Sequence, residues 1–287
     1  MSFRGYFDVP GGDASGLGAQ VARQHERVRE RLRDVGSVVA IVSGKGGVGK
    51  SYVTSALAIA LARRGAAIGV LDADLQSPTV ARMLDARGPL AVDGDAVIPS
   101  PAFEGIRVMS MDLLIEDGAP LRWSTTTGEE HTWRGAAETG ALREFLADVA
   151  WGKLAALLVD MPPDTGRLAD LAMLVPDLTG AIAVTIPSDE SMRSVARAMH
   201  AATDARVPLL GVVENMSGYA CEGCDVIRPL FRGDAGETLA RDFAVPLLAK
   251  LPFDPNAHPS GAMIPQALRE AIGVPSPLAP RPSPVVS

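Results

Sequence analysis

A doubly wound α/β fold, with a mostly parallel sheet and helices on both faces, is what the sequence predicts. Three observations carry that expectation. Short runs of Val, Ile, Leu and Ala alternate along the chain with segments of helical apolar spacing. The short runs are continuously apolar rather than alternating, as strands covered on both faces should be. The composition agrees: 287 residues, 47% hydrophobic, 5% aromatic and with 29 glycines, suit helices packed closely on a sheet with Gly-rich turns.

The expected strands, in order, are Ser37–Val42, Ala67–Leu71, Ile106–Ser110, Ala155–Asp160, Ala181–Ile186, Leu209–Val213 and Leu247–Lys250. Between the first two, Val53, Ala56, Leu57, Ala60 and Leu61 recur at helical spacing and stop at Gly65. Further helices are expected over Gly135–Val149, Asp189–Ala202 and Ala235–Phe243. Asp234 and Glu237 stand at capping-box spacing before the last of them. Gln20–Val35 carries five arginines among Val21, Val28, Leu32 and Val35, which reads as a helix on the domain surface, or alternatively as a partner-binding arm. Trp123–Thr132 is polar and reads as an exposed loop. The expected division is a flexible lead-in and short helix over 1–36, one α/β domain over 37–274, and an extended tail over 275–287 with five prolines.

Charge and hydropathy narrow the function. The chain has 27 Lys and Arg against 34 Asp and Glu, a net charge of −7, which gives no general attraction to phosphodiester backbones, so no nucleic-acid partner is expected. The first eighteen residues lack an apolar core of signal-peptide length. The longest apolar runs, Val38–Val42, Leu154–Val159 and Ala181–Ile186, fall far short of a membrane span. The expectation is a cytoplasmic protein with no membrane partner.

The strongest motif is Gly44-Lys45-Gly46-Gly47-Val48-Gly49-Lys50-Ser51, which follows an apolar strand and opens a helix, the context a phosphate-binding P-loop requires. Its glycines let the backbone N–H groups of Gly46, Gly47, Val48 and Gly49 turn inward on phosphate oxygens, and the helix N-terminus adds positive potential. Lys50 should reach the β- and γ-phosphates of ATP and Ser51 should bind Mg²⁺, with Tyr52 completing the first helical turn of the binding set. Asp72 and Asp74 end the second strand and Asp160 ends the fourth. All three are placed for magnesium and water in such a sheet, with Ser51, Asp72 and Asp160 as the expected Mg²⁺ set.

Cys221 and Cys224 stand three apart, and none of His25, His131, His200 and His258 has ligand spacing to them. A structural disulfide is not expected in a reducing compartment. A closed zinc or iron–sulfur site needs four ligands, so two copies related by a two-fold axis would close a four-thiolate site bridging the subunits. A redox dithiol, a zinc site and an inert thiol pair are the alternatives.

Lys45, directly after the first glycine, resembles the deviant Walker A of the group containing MinD, ParA, the nitrogenase iron protein and arsenite ATPase. That likeness implies a homodimer in which this lysine reaches the partner's nucleotide; spacing alone shows only a second cation. Over Ser37–Ala271 the sequence resembles the Mrp/ApbC family of P-loop ATPases, iron–sulfur cluster carriers or scaffolds. The matching stretches are Gly44–Ser51, DADLQSP (Asp72–Pro78), SMDLLIE (Ser110–Glu116), TWRG (Thr132–Gly135), WGKLAALLVDMPP (Trp151–Pro163), ENMSGYACEGC (Glu214–Cys224) and LPFDP (Leu251–Pro255). The resemblance implies ATP hydrolysis, with Lys45 and Lys50 neutralising phosphate charge, Asp74 orienting the attacking water and Asp160 supporting Mg²⁺. It also implies Asn215 on adenine, Pro252 and Asp254 flanking the base, and a [4Fe–4S] cluster held by Cys221 and Cys224 of both subunits for transfer to apoproteins.

The chain departs from the family pattern in places. Where the family reads DxPPGTGD, residues 160–167 put Asp164 for a glycine and Arg167 for an aspartate. A carboxylate there opposes the γ-phosphate, with Arg167 as the expected compensation. Tyr52 stands for the usual Thr, and Ala136-Ala137 for Pro-Met. Hydrolysis is therefore expected to be slow or partner-dependent. Competing readings are a MinD- or ParA-like switch, an electron donor like the nitrogenase iron protein, and a cluster-free assembly factor. The proline-rich tail, where a basic amphipathic helix would stand, speaks against the first. The closely spaced cysteines speak against the second.

Overall fold

A computed structural model describes residues 17–114, 130–164, 166–220, 226–253, 259 and 261–274. Along the chain run α1 (Leu17–Leu32), β1 (Val38–Val42), α2 (Lys50–Ala62), β2 (Ile68–Asp72), α3 (Val80–Met83), β3 (Ala91–Asp93), β4 (Ala96–Ile98), β5 (Ser100–Pro101) and β6 (Arg107–Met109). They are followed by α4 (Glu130–Asp148), β7 (Ala156–Asp160), α5 (Arg167–Leu174), β8 (Gly180–Thr185), α6 (Asp189–Asp204), β9 (Leu209–Ala220), β10 (Ile227–Arg228), α7 (Ala235–Asp242), β11 (Leu247–Phe253) and α8 (Gln266–Glu270).

The parallel spine of the sheet is β11-β9-β8-β1-β7-β2-β6, with β1 at its centre. β5 adds antiparallel beyond β6, β10 pairs antiparallel with the end of β9, and β3 and β4 form a separate hairpin. Every residue of β1, β2, β7 and β8 is buried, because helices cover both faces. Successive side chains of β1 enter opposite cores, Val38, Ala40 and Val42 on one side and Val39 and Ile41 on the other. Helices α1, α4, α5, α6 and α7 contribute to the first core, and α2, α3 and α8 to the second.

The Arg-rich N-terminal segment packs on α4. Val28 and Leu32 are buried against Leu142 and Leu146, Arg27 pairs with Asp148 at 2.7 Å, and Arg31 Nε donates to the Ala147 carbonyl at 3.1 Å. Trp151 closes the base of that layer, fully buried with its indole N–H donating to the Phe145 carbonyl at 3.2 Å.

Some expectations on local structure need correction. β9 runs past its expected end at Val213 on to Ala220, paired with β11 at Leu251↔Asn215 and Phe253↔Tyr219, with residues 216–218 bulged between those pairs and Met216 at φ +54°. The capping pair at α7 does not form: Asp234 makes no side-chain cap bond, and Glu237 turns to Lys250 at 2.6 Å. α4 starts at Glu130, so the end of the polar stretch Trp123–Thr132 is helical, while 123–129 lie outside the described residues. Residues 1–16 and 275–287 also lie outside them. No described helix is long and apolar enough to cross a membrane.

Candidate functional site

β1 ends at Val42 in the middle of the sheet, and the chain turns through residues 43–49 into α2. Two glycines make that turn possible. Gly49, the N-cap, has φ +80°, which L side chains rarely adopt. Gly44 sits so close to α6 that an added Cβ would lie 1.8 Å from the Ser194 carbonyl oxygen. The loop is thus pressed on α6 at one end and, at the other, held by Asn215, whose side-chain amide donates to the Val48 carbonyl at 2.9 Å. Lys45 leaves the loop toward α6 and pairs with Glu190 at 2.8 Å, an exposed ion pair that adds little stability.

The buried polar centre lies where α2 starts. Lys50 Nζ approaches Asp160 Oδ2 at 2.7 Å, and Ser51 Oγ donates to the same oxygen at 2.6 Å. Thr54 Oγ1 lies 2.8 Å from the other oxygen, Oδ1. Asp160 stands in register with Asp72 on the neighbouring strand, and both are fully buried. The strand-end position of Asp72 puts it beside the loop, as expected. Its oxygens are, however, already engaged: Oδ2 accepts from Thr79 N, Val80 N and Ser110 Oγ at 3.0–3.2 Å, and Oδ1 accepts from Asp74 N at 3.2 Å. The same carboxyl therefore anchors the turn into α3.

Burial, and then the nearby Asp160 charge, push the Asp72 carboxyl from 3.8 up to about 7. A carboxyl with a raised native pKa binds its extra proton in the folded state, so its contribution to stability falls as pH rises between about 4 and 7. In metal-free protein, urea midpoints at about pH 5 and about pH 8 should therefore differ in favour of the lower pH, and Asp72→Asn should shrink that difference. An equal difference in the variant would show that Asp72 does not titrate in this window.

Asp74 is half-buried, accepts from Ser77 N at 3.2 Å, and burial also raises its carboxyl. It lines a cavity of about 210 Å³ between the loop after β2 and the loop after β7, shared with Gln76, Glu138, Met161, Asp164 and Arg167. Arg167 does not serve chiefly as the counter-charge to Asp164. Its closest acidic partners are Glu138 at 2.5 Å and Asp170 at 3.1 Å, whereas Asp164 stands 3.9 Å away, 63% exposed, accepting from Gly166 N. Gln76 donates to Glu138 at 2.6 Å, so Glu138 on α4 ties the two loops together. Tyr52 packs half-buried against the second core, and Pro252 lies half-buried in β11. Asp254, Cys221 and Cys224 lie outside the described residues.

The donor set suits magnesium. A hydroxyl and a carboxylate oxygen converge at the mouth of a loop able to carry phosphate, and Mg²⁺ ordinarily takes one or two carboxylates plus substrate oxygens rather than an all-protein cage. Among the described residues no three His, Cys, Asp or Glu side chains stand together as a metal site. Sequence reasoning missed Thr54, Glu138 and Glu190. Thr54 could have been found, since it lies one helical turn after Lys50 on the same face.

A central strand leading into this loop, with carboxylates at the ends of β7 beside it and of β2 next along the sheet, defines a P-loop NTPase. The family model of the ParA-group NUBPL iron-transfer P-loop NTPases matches residues 34–270. The chain belongs to that family. It is 38% identical over 247 residues to the iron-sulfur cluster carrier protein of Saccharolobus solfataricus, covering 85% of this chain and 80% of the relative. It is 37% identical over 237 residues to the cytosolic Fe-S cluster assembly factor CFD1 of Eremothecium gossypii, covering 79% and 80%. Among solved structures, a nucleotide-binding protein of Archaeoglobus fulgidus in complex with ADP superposes with a TM-score of 0.68 at 30% identity, over 88% of this chain and 94% of that one.

Proposed function

We propose that this chain is an ATP-binding and ATP-hydrolysing carrier or scaffold that assembles an iron–sulfur cluster and delivers it to apoproteins, working as a homodimer. The observation that carries the reading is the joining of two features on one chain. Lys50, Ser51 and Asp160 converge at the P-loop, and β9, which buttresses that loop through Asn215, leads directly in sequence to Cys221 and Cys224. Family membership and relatives named for iron–sulfur carriage and assembly support it.

In this reading the Gly46–Gly49 amides and Lys50 receive the phosphates, which requires Lys50 to leave Asp160. Lys45 leaves Glu190 in the same way when its charge is needed on phosphate, on its own or on the partner subunit. Ser51 and Asp160 would hold Mg²⁺, with Asp72 behind them; when bound, the ion would supply charge neutralisation at the phosphates. Asp74, at the mouth of the cavity between the two loops, positions water for attack. Asn215, Tyr52, Pro252 and Asp254 border the nucleotide. The cluster is cargo, a [4Fe–4S] unit closed by Cys221 and Cys224 from each of two subunits.

Anaerobic reconstitution with iron and sulfide tests this directly. The wild type should take up about four irons per dimer and pass them to an apoprotein in a manner that depends on ATP, and Cys221→Ser should lose nearly all of that iron. Retention of wild-type iron by the serine variant would remove the cysteine pair from the site. A wild type that binds ATP but never holds iron would leave the cluster-free assembly factor as the reading.

A further inference from the structure

We propose that Thr54 is a positioning residue for Asp160: it fixes one carboxylate oxygen in α2 so that the other stays turned toward magnesium. The proposal rests on the magnesium–nucleotide reading of the site. Thr54 is fully buried, and its hydroxyl lies 2.8 Å from Asp160 Oδ1 and 3.0 Å from the Lys50 carbonyl. The hydroxyl has a single proton to give. A carboxylate that pairs with an ammonium at 2.7 Å accepts and does not donate, so the Thr54 proton goes to Asp160. The Lys50 carbonyl loses nothing by this, because helix geometry already gives it the Thr54 amide.

The two oxygens of Asp160 are thereby sorted. Oδ2 meets Lys50 and Ser51, the two groups that phosphate and metal would recruit, whereas Oδ1, among the described residues, meets Thr54, which has no reason to move. When Lys50 and Ser51 turn to the ligand, Oδ2 is released and the carboxylate stays aimed. Without the hydroxyl, Asp160 can rotate so that Oδ2 no longer faces the metal position, while its single contact with Lys50 is unchanged. The opposing account is that Thr54 is an ordinary helix-interior threonine bonding back to the carbonyl four residues earlier.

The two accounts separate on the magnesium dependence of ADP binding by the full chain. The dissociation constant is measured in EDTA and then across a magnesium series for wild type, Thr54→Val and Thr54→Ser. Positioning predicts equal affinity in EDTA. In Thr54→Val the magnesium concentration for half-maximal tightening should rise roughly ten- to a hundredfold, and Thr54→Ser should restore it. A valine variant that responds to magnesium like the wild type overturns the proposal, as does one weakened equally with and without the metal. Thr54→Ala carries the same test should the valine variant not fold. A wild type that ignores ADP under every condition overturns the nucleotide reading itself.

Discussion

Gly44→Ala is expected to abolish nucleotide binding and to lower the unfolding free energy by more than about 3 kcal/mol, the upper end of the usual overpacking range. The new methyl carbon would sit 1.8 Å from the Ser194 carbonyl oxygen, 2.1 Å from its carbon and 2.7 Å from the Val195 nitrogen. All three are backbone atoms of α6, so no side-chain rotation relieves the overlap. Either the loop lifts away, which breaks the Asn215–Val48 bond, or α6 shifts against β8. Urea denaturation and ADP titration read both effects. The contrasting variant is Gly46→Ala, where an added Cβ meets nothing within 4 Å, and its urea midpoint should match the wild type. A Gly44→Ala protein with wild-type stability and affinity would mean that the loop is not pressed on α6.

Asp160→Asn is the second large effect. Asparagine keeps the shape and can still accept from Thr54, but it leaves the Lys50 ammonium buried without its nearest counter-charge. Breaking a buried pair from one side costs about 3–5 kcal/mol; here the lower end, about 3 kcal/mol, is expected, because Asp72 and Asp74 also face Lys50. The sign is separable from the effect on ligand: stability in metal-free protein falls, ADP affinity in EDTA holds or rises because Lys50 is released, and the gain on adding magnesium disappears. Retention of a wild-type magnesium response would remove Asp160 from the metal site.

The parts of the fold that could be read from the sequence are those where one physical demand dominates. β1, β2, β7 and β8 are buried on both faces, so their continuous apolar runs place them to within a residue or two. The P-loop is legible because anion binding by backbone amides needs glycine at fixed offsets, and two strand-ending aspartates, Asp72 and Asp160, mark the same end of the sheet. Where demands compete, reading fails. Asn215, Ser217 and Gly218 favour a turn locally, and the chain does bulge there with Met216 at φ +54°, yet pairing with β11 on either side, at Asn215 and Tyr219, carries the strand on. The β3–β4 hairpin is short and exposed, with Val92 68% accessible, and so leaves no burial pattern to follow. Helix α5 has buried Leu168, Leu171 and Leu174 at helical intervals, but it is only eight residues long and opens directly after Pro162, Pro163 and Gly166, which locally favour loop. Ion pairs are harder still, because Lys45 with Glu190 and Arg167 with Glu138 join separate elements, and nothing local marks a carboxylate as the partner of a given cation.

Strand β9 outruns its neighbour. β8 stops at Thr185, opposite Glu214, and from Asn215 to Ala220 the strand is flanked, among the described residues, by β11 and the short β10. That overhang is bulged rather than straight, β9 advancing four residues against two of β11 between Asn215 and Tyr219 with Met216 at φ +54°, and it is rooted at the amide that grips Val48. The thiols follow at its free end in the sequence. Any load on that overhang is handed to the phosphate loop at one point, the Asn215 amide on the Val48 carbonyl.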